Sequence, residues 1–330
     1  MPHVLVAGKL HPSGLALLEA APDVTYDYVE EVSEASFAPL IGAAEGLILR
    51  TQPLSAATIA RAGKLRIVSR HGVGYDAVDL PALEERDITL TVVGDVNSLA
   101  VAEHAMMLLL ATAKRAVRAD RSVRAGDWRW RDCLQARELA GKRLLILGYG
   151  RIGRHLARLA RAFGMEVGAY DPFVGEDGWT EDGATPVRAL KRGLAWADMI
   201  SVNVPKGERP LLGGEEFARM RPGAILVNTA RGGVVDEQAL AAALASGRLA
   251  GAGLDVFEDE PPPTDHPLMG FDQVVLSPHI AGLTAECSQR MAVAAVENVL
   301  DFFDGRVDPA LVVSPTERLR PSSPRRAGHD

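Results

Sequence analysis

The chain has 330 residues, 47% of them hydrophobic and 24% charged, the balance of a globular protein able to bury a large core. Its formal net charge is −7 and no basic tract precedes the C-terminal tail, which argues against a nucleic-acid partner. Two cysteines, Cys133 and Cys287, give no disulfide framework and point to a reducing cytoplasm, and no apolar run approaches the ~20 residues of a membrane span.

Residues 3–7 read as a first β-strand rather than a secretion signal. Further β-type runs follow at 24–29, 46–50, 67–71 and 89–93, with helical patterns between them such as 12–20 and 55–62. Regular alternation of this kind predicts a parallel, doubly wound α/β sheet. Residues 97–125 then read as one long helical stretch whose apolar face includes Met106, Leu109 and Leu110. A second alternating block predicts strands at 143–147, 166–170, 199–204, 224–229, 251–256 and 274–277. Residues 284–303 form an amphipathic pattern expected to pack back on the first block. Two sheets predict two domains, one of residues 1–94 with 285–314, the other of residues 95–284 inserted between them. The tail, 315–330, holds Pro, Ser and Arg with almost no apolar residues and is expected to be disordered.

The sharpest local signal lies at the start of the second block. An apolar run, Leu144 to Leu147, ends in Gly148-Tyr-Gly150-Arg-Ile-Gly153, and a helical pattern follows at once. Asp171 closes the next apolar segment. Strand, tight turn, helix, strand and acid are the parts of a dinucleotide cradle. Gly148 allows the turn, Gly150 lets a pyrophosphate approach the backbone, and Gly153 lets the helix lie close to the strand. The helix N-terminus offers unpaired N–H groups to phosphate. Asp171 can accept from both ribose hydroxyls and would repel a 2′-phosphate, which favours NAD over NADP.

Three polar residues follow later strands of the same block. Arg231 comes after 225–229, Glu260 after 253–257 and His279 after 274–277. In an open α/β sheet the ligand crevice lies beyond the carboxyl ends of the strands. Alone, each also reads as a structural or surface residue. Together they suit hydride exchange with a small keto acid. A guanidinium grips a carboxylate bidentately, an imidazole moves a proton at the hydroxyl oxygen, and a carboxylate orients that imidazole.

The order of motifs resembles the D-isomer-specific 2-hydroxyacid dehydrogenase family over almost everything from Pro2 to Val313. The matching stretches are Arg70-His-Gly-Val-Gly-Tyr-Asp76, the glycine fingerprint, Val227-Asn-Thr-Ala-Arg-Gly-Gly-Val-Val-Asp236, Leu254-Asp-Val-Phe-Glu-Asp-Glu-Pro261 and Ser277-Pro-His-Ile280. The resemblance implies a Rossmann NAD-binding domain inserted in a flavodoxin-like substrate domain. It implies that Arg231 binds the substrate carboxylate, His279 is the general acid/base and Glu260 its partner. Gly148, Gly150, Arg151, Ile152, Gly153, Asp171, Val204, Pro205, Thr229, Ala230 and His279 would border the cofactor, with Asp255 at the nicotinamide carboxamide. Arg50, Val73 and Gly74 of the first domain would serve the substrate. No metal is implied, and a homodimer is. The sequence departs from the family pattern at Ala100, at Asn203 with Val204-Pro-Lys-Gly207 after it, and at Ala281 with Leu283 near it; these leave the catalytic trio intact and bear on the substrate and on the fit around the adenosine and nicotinamide.

Within the family the chain is most similar to phosphoglycerate dehydrogenases and hydroxypyruvate or glyoxylate reductases. It stops soon after the last helix, so serine feedback through a C-terminal regulatory domain is not expected. A dinucleotide-sensing corepressor-like protein, and phosphite oxidation on the same fold, are the alternative readings.

Overall fold

A computed structural model describes residues 1–179 and 183–313, and the chain divides into two compact units. Met1–Asn97 joins the residues from Leu283 onward to make the first, and Ser98–Gly282 makes the second. The expected tail at 315–330 lies outside the described residues.

The first unit is a five-stranded parallel sheet of β1 (His3–Ala7), β2 (Thr25–Val29), β3 (Gly46–Leu49), β4 (Ile67–Arg70) and β5 (Thr89–Thr91), in the order β2-β1-β3-β4-β5. That is the flavodoxin-like winding, with its switch point between β1 and β3. Every residue of β3 is buried, as expected of a strand covered on both faces. Part of the cover is the helix Ala285–Phe303, which packs on β3, β4 and the helix Pro12–Glu19. Cys287, Met291, Ala295 and Val299 recur every four residues along its buried face, one stripe of an α-helix. Thr284 caps its start by accepting from the Cys287 amide at 3.0 Å.

The second unit holds β6 (Arg143–Leu147), β7 (Glu166–Tyr170), β8 (Thr185–Pro186), β9 (Met199–Val202), β10 (Ala224–Asn228), β11 (Leu249–Leu254) and β12 (Val274–Leu276). They form one parallel sheet in the order β12-β11-β10-β9-β6-β7-β8. Leu144 and Ile146 enter one apolar cluster while Leu145 and Leu147 enter the other, so side chains of β6 alternate between the two faces of the sheet. The helices Ser98–Ala113 and Arg151–Ala162 pack together on the Leu144 face.

Two expectations need correction. Residues 97–125 are two helices, Ser98–Ala113 and Ala116–Arg124, because Arg115 takes a left-handed conformation (φ 55°) that a right-handed helix cannot pass through. The strand expected at 251–256 runs over Leu249–Leu254. Asp255 already belongs to the loop, where its carboxylate gathers amides instead of facing a neighbouring strand.

Candidate active site

The last residues of five strands stand side by side. Leu147 pairs with Val202, Val202 with Asn228, Asn228 with Leu254, and Leu254 with Leu276. The next residue of each strand, Gly148, Asn203, Thr229, Asp255 and Ser277, therefore begins a loop at the same sheet edge. The switch point between β6 and β9 falls inside this row, where ligands of such sheets bind.

At the glycine turn the backbone is as close as it can be. A Cβ on Gly153 would overlap the Gly148 carbonyl oxygen, and one on Gly148 would stand 2.5 Å from the Asn203 oxygen. Gly150 has nothing within 4 Å of where its Cβ would lie, so its face is open to an incoming phosphate. Gly150 also caps the helix Arg151–Ala162 without a side-chain bond, leaving that helix start to a ligand. Arg151 is exposed and Ile152 half-buried in its first turn. Asp171, just past β7, accepts from the Tyr149 amide at 2.8 Å and from the Phe173 amide at 2.9 Å. Those two bonds fix the carboxylate beside the turn.

The polar groups along the row fit a dinucleotide. Thr229 Oγ1 and Asn203 Oδ1 are buried without a hydrogen-bond partner, each in the loop that begins at this edge. A buried orphan of that kind costs stability unless something supplies a partner. Val204 is half-buried against Gly148, Pro205 is exposed beside it, and Ala230 is buried next to Thr229.

Of the expected trio, Glu260 and His279 meet directly. Glu260 Oε2 lies 2.7 Å from His279 Nδ1, while Glu260 Oε1 accepts from the Phe257 amide at 3.0 Å. Both side chains keep access to solvent, 36% and 50% exposed. Arg231 joins this cluster through the backbone. Its neighbour Gly232 packs so tightly on the Phe257 carbonyl that a Cβ would overlap it. Asn228 braces the turn, accepting from the Ala230 amide and donating to the Arg231 carbonyl, both at 3.0 Å. The Arg231 guanidinium donates from Nη1 to the Ala230 carbonyl at 2.7 Å. Asp255 is wholly buried and has protein partners on both oxygens: Ser277 Oγ and the Ile280 amide on Oδ1, the Ala281 amide on Oδ2.

The first unit has its own polar cluster at the carboxyl ends of β3 and β4. Arg50 Nε, both amide atoms of Gln52 and His71 Nε2 are buried there without hydrogen-bond partners. Val73 and Gly74 follow in a half-buried loop. Burial, and then the positive charges of Arg50 and Arg70, push the His71 imidazole down to about 4.

A sequence model of the D-isomer specific 2-hydroxyacid dehydrogenase NAD binding domain matches residues 106–281. This chain belongs to that family. Like the family, it is an NAD-dependent 2-hydroxyacid dehydrogenase. It is 42% identical to a glyoxylate reductase of Korarchaeum cryptofilum over 278 residues, 83% of each chain. It is 39% identical over 264 residues to a D-3-phosphoglycerate dehydrogenase of Archaeoglobus fulgidus, a match covering 79% of this chain and 50% of that one. The chain thus spans about half the length of that relative. Among solved structures it is similar to the D-lactate dehydrogenase of Aquifex aeolicus complexed with NAD and lactic acid, with TM-score 0.82, 29% identity and coverage of 92% and 96%.

Several residues that shape the dehydrogenase's site gave little sign in the sequence. His104, inside an apolar helix, has its Nε2 2.8 Å from Ser277 Oγ. Glu237 accepts from the Glu258 amide at 2.8 Å and pairs with His266 at 2.9 Å, so it clamps the loop that carries Glu260. Tyr149, the middle residue of the glycine turn, stacks on Trp179 with ring centres 4.8 Å apart.

Proposed function

We propose that this dehydrogenase transfers a hydride between nicotinamide and C2 of a small D-2-hydroxy or 2-keto acid, with His279 as the general acid/base. The observation that carries the reading is the 2.7 Å contact of His279 Nδ1 with Glu260, on loops that begin at the cofactor edge of the sheet. Glu260 accepts the Nδ1 proton, so Nε2 is the ring atom left to exchange a proton with substrate. In reduction the imidazolium gives its Nε2 proton to the oxygen at C2, and the neutral ring takes it back in oxidation. The carboxylate of Glu260 stabilises the charged ring in between. Nicotinamide supplies or accepts the hydride.

Arg231 binds the substrate carboxylate, a role suited to a planar fork of donors. Gly148, Gly150, Arg151, Ile152 and Gly153 take the pyrophosphate side of NAD, and Asp171 the ribose. Val204, Pro205, Thr229 and Ala230 border the rest, with Asp255 there chiefly as support for the His279 loop. Arg50, Val73 and Gly74 are assigned to the substrate on the family resemblance.

The protein works as a homodimer in this reading, paired through the nucleotide unit. Met107, Val117, Val123 and Trp128 stand exposed along 98–133, more apolar surface than a solvated helix face needs. Both cysteines are free, which agrees with a reducing cytoplasm.

The deciding experiment is NADH oxidation with glyoxylate, hydroxypyruvate and phosphohydroxypyruvate. Turnover of at least one is expected, with most of it lost in Arg231→Lys. An enzyme that ignores every 2-keto acid but reduces NAD with phosphite would replace this reading with phosphite oxidation.

A further inference from the structure

We propose that His104 is a positioning residue for this reaction, fixing the loop that carries His279 through Ser277 and Asp255. The inference rests on the reading of His279 as acid/base.

The chain of contacts leaves little choice about where the protons sit. Ser277 Oγ is 2.6 Å from Asp255 Oδ1 and 2.8 Å from His104 Nε2. An ionised carboxylate only accepts, so the one hydroxyl proton goes to Asp255. Ser277 must then accept from His104, which places a proton on Nε2. The same nitrogen lies 3.4 Å from Asp255 Oδ1, close enough to add its partial or full charge to the buried anion. Burial alone would raise the Asp255 carboxyl. Hydrogen bonds from His104, Ser277 and the amides of Ile280 and Ala281 outweigh it and hold the group below the ordinary carboxylate range.

What Asp255 holds is the catalytic loop. Its backbone oxygen accepts from the His279 amide at 2.8 Å. Its side chain accepts from the next two amides, Ile280 at 2.9 Å and Ala281 at 2.8 Å. Three consecutive N–H groups thus converge on one buried residue. They hold His279 at φ 52°, a left-handed conformation that residues with a side chain adopt uncommonly. Ser277 sits at the entrance of this turn and Asp255 at its centre. His104 is the contact from outside the turn, reaching it from the helix Ser98–Ala113 and locking the Ser277 hydroxyl toward Asp255. Without that donor the hydroxyl can rotate, and the carboxylate has one fewer proton to share.

The test compares His104→Leu, which removes the donor, with His104→Gln, whose amide nitrogen can stand near the place of Nε2. In NADH oxidation with a turned-over 2-keto acid, His104→Leu should lose about tenfold or more in kcat, since a catalytic group misplaced by about 1 Å can cost ~100-fold. NADH affinity, read by protein-to-NADH fluorescence transfer, should stay within about twofold, and His104→Gln should recover most of the rate. Ser277→Ala should lose kcat in the same way and decides the matter should His104→Leu fail to fold. A purely structural His104 would instead lower Tm in both His104 variants without separating them in kcat. Full kcat in His104→Leu or in Ser277→Ala, or a His104→Gln enzyme as slow as His104→Leu, overturns the proposal. His279→Ala distinguishes the underlying reading: normal turnover there removes the acid/base assignment itself, whereas an inactive His279→Ala beside an active His104→Leu removes only the positioning role of His104.

Discussion

Glu260 reaches His279 through Nδ1, at 2.7 Å, while its other oxygen is tied to the Phe257 amide at 3.0 Å. The carboxylate is therefore anchored to its own loop and cannot follow the imidazole if that ring swings. A carboxylate fixed in this way sets the orientation of the ring.

The first prediction concerns the direction of reaction. Reduction takes a proton from His279 and oxidation returns one, so the two directions start from opposite states of the ring. Glu260→Gln should depress kcat in both directions, because the ring is charged before reduction and after oxidation and loses its counter-charge in each. His279→Ala should cost ~10²–10⁴ in kcat with NADH binding kept. Steady-state rates in both directions, paired with NADH titrations, check this; full kcat in either direction for Glu260→Gln would contradict it.

A preference between the two cofactors is expected from Asp171. Its carboxylate is held by the amides of Tyr149 and Phe173, so it cannot turn away from a 2′-phosphate. NADH should be preferred over NADPH by at least tenfold in kcat/KM, about 1.4 kcal/mol. Asp171→Ser should narrow that ratio. Equal use of the two cofactors by the unaltered enzyme would remove Asp171 from this role.

Gly232 offers a steric test of the loop that presents Arg231. Gly232→Ala would drive a methyl into the Phe257 carbonyl, so the Arg231 turn and the loop leading to Glu260 must part. Overpacking against rigid backbone costs about 1–3 kcal/mol, and here the loss should include most of the turnover. Gly63→Ala is the control, since nothing lies within 4 Å of its added Cβ. Thermal unfolding and kcat measured on both variants decide it.

His71 gives a pH signature in stability. Its imidazole is pushed from 6.5 to about 4 by burial and by Arg50 and Arg70. Between those values the unfolded chain binds the proton and the folded one does not. The contribution is present in full above about 6.5 and is lost as pH falls toward 4, with a slope of at most about 1.4 kcal/mol per pH unit. Denaturant melts of His71→Gln and the unaltered protein across this window should differ in slope. Parallel curves would mean that His71 is not buried neutral.

The parts of the site that were legible in the sequence are those made by local events. A strand running into a tight turn and a helix needs Gly148 and Gly153 where they stand, and the acid after the next strand is a fixed distance away. Strand ends announced where Arg231, Glu260 and His279 would fall. Long-range partners were not legible. His104 and Ser277 are 173 residues apart, and a histidine within an apolar helix carries no mark of what it touches. The break at Arg115 was hidden for a different reason: no glycine or proline marks it, and the Ala, Lys and Arg residues around it all favour a helix. Asp255 reads as a cofactor contact by resemblance, but its burial and its partners Ser277, Ile280 and Ala281 belong to packing that only the fold reveals.

The split of the first unit across the chain has a consequence for how the protein is made. Strands β1 to β5 leave the ribosome first, yet the helix that covers β3 and β4 is Ala285–Phe303, which emerges only after all of Ser98–Gly282. Val299 stands 2.9 Å from where Gly46 would carry a Cβ, so the missing cover is a close-fitted one. During synthesis the nascent sheet waits with part of its apolar cover missing, while the nucleotide unit can close as soon as its own strands are complete. The unit whose strands are made first is thus the one whose cover is completed last.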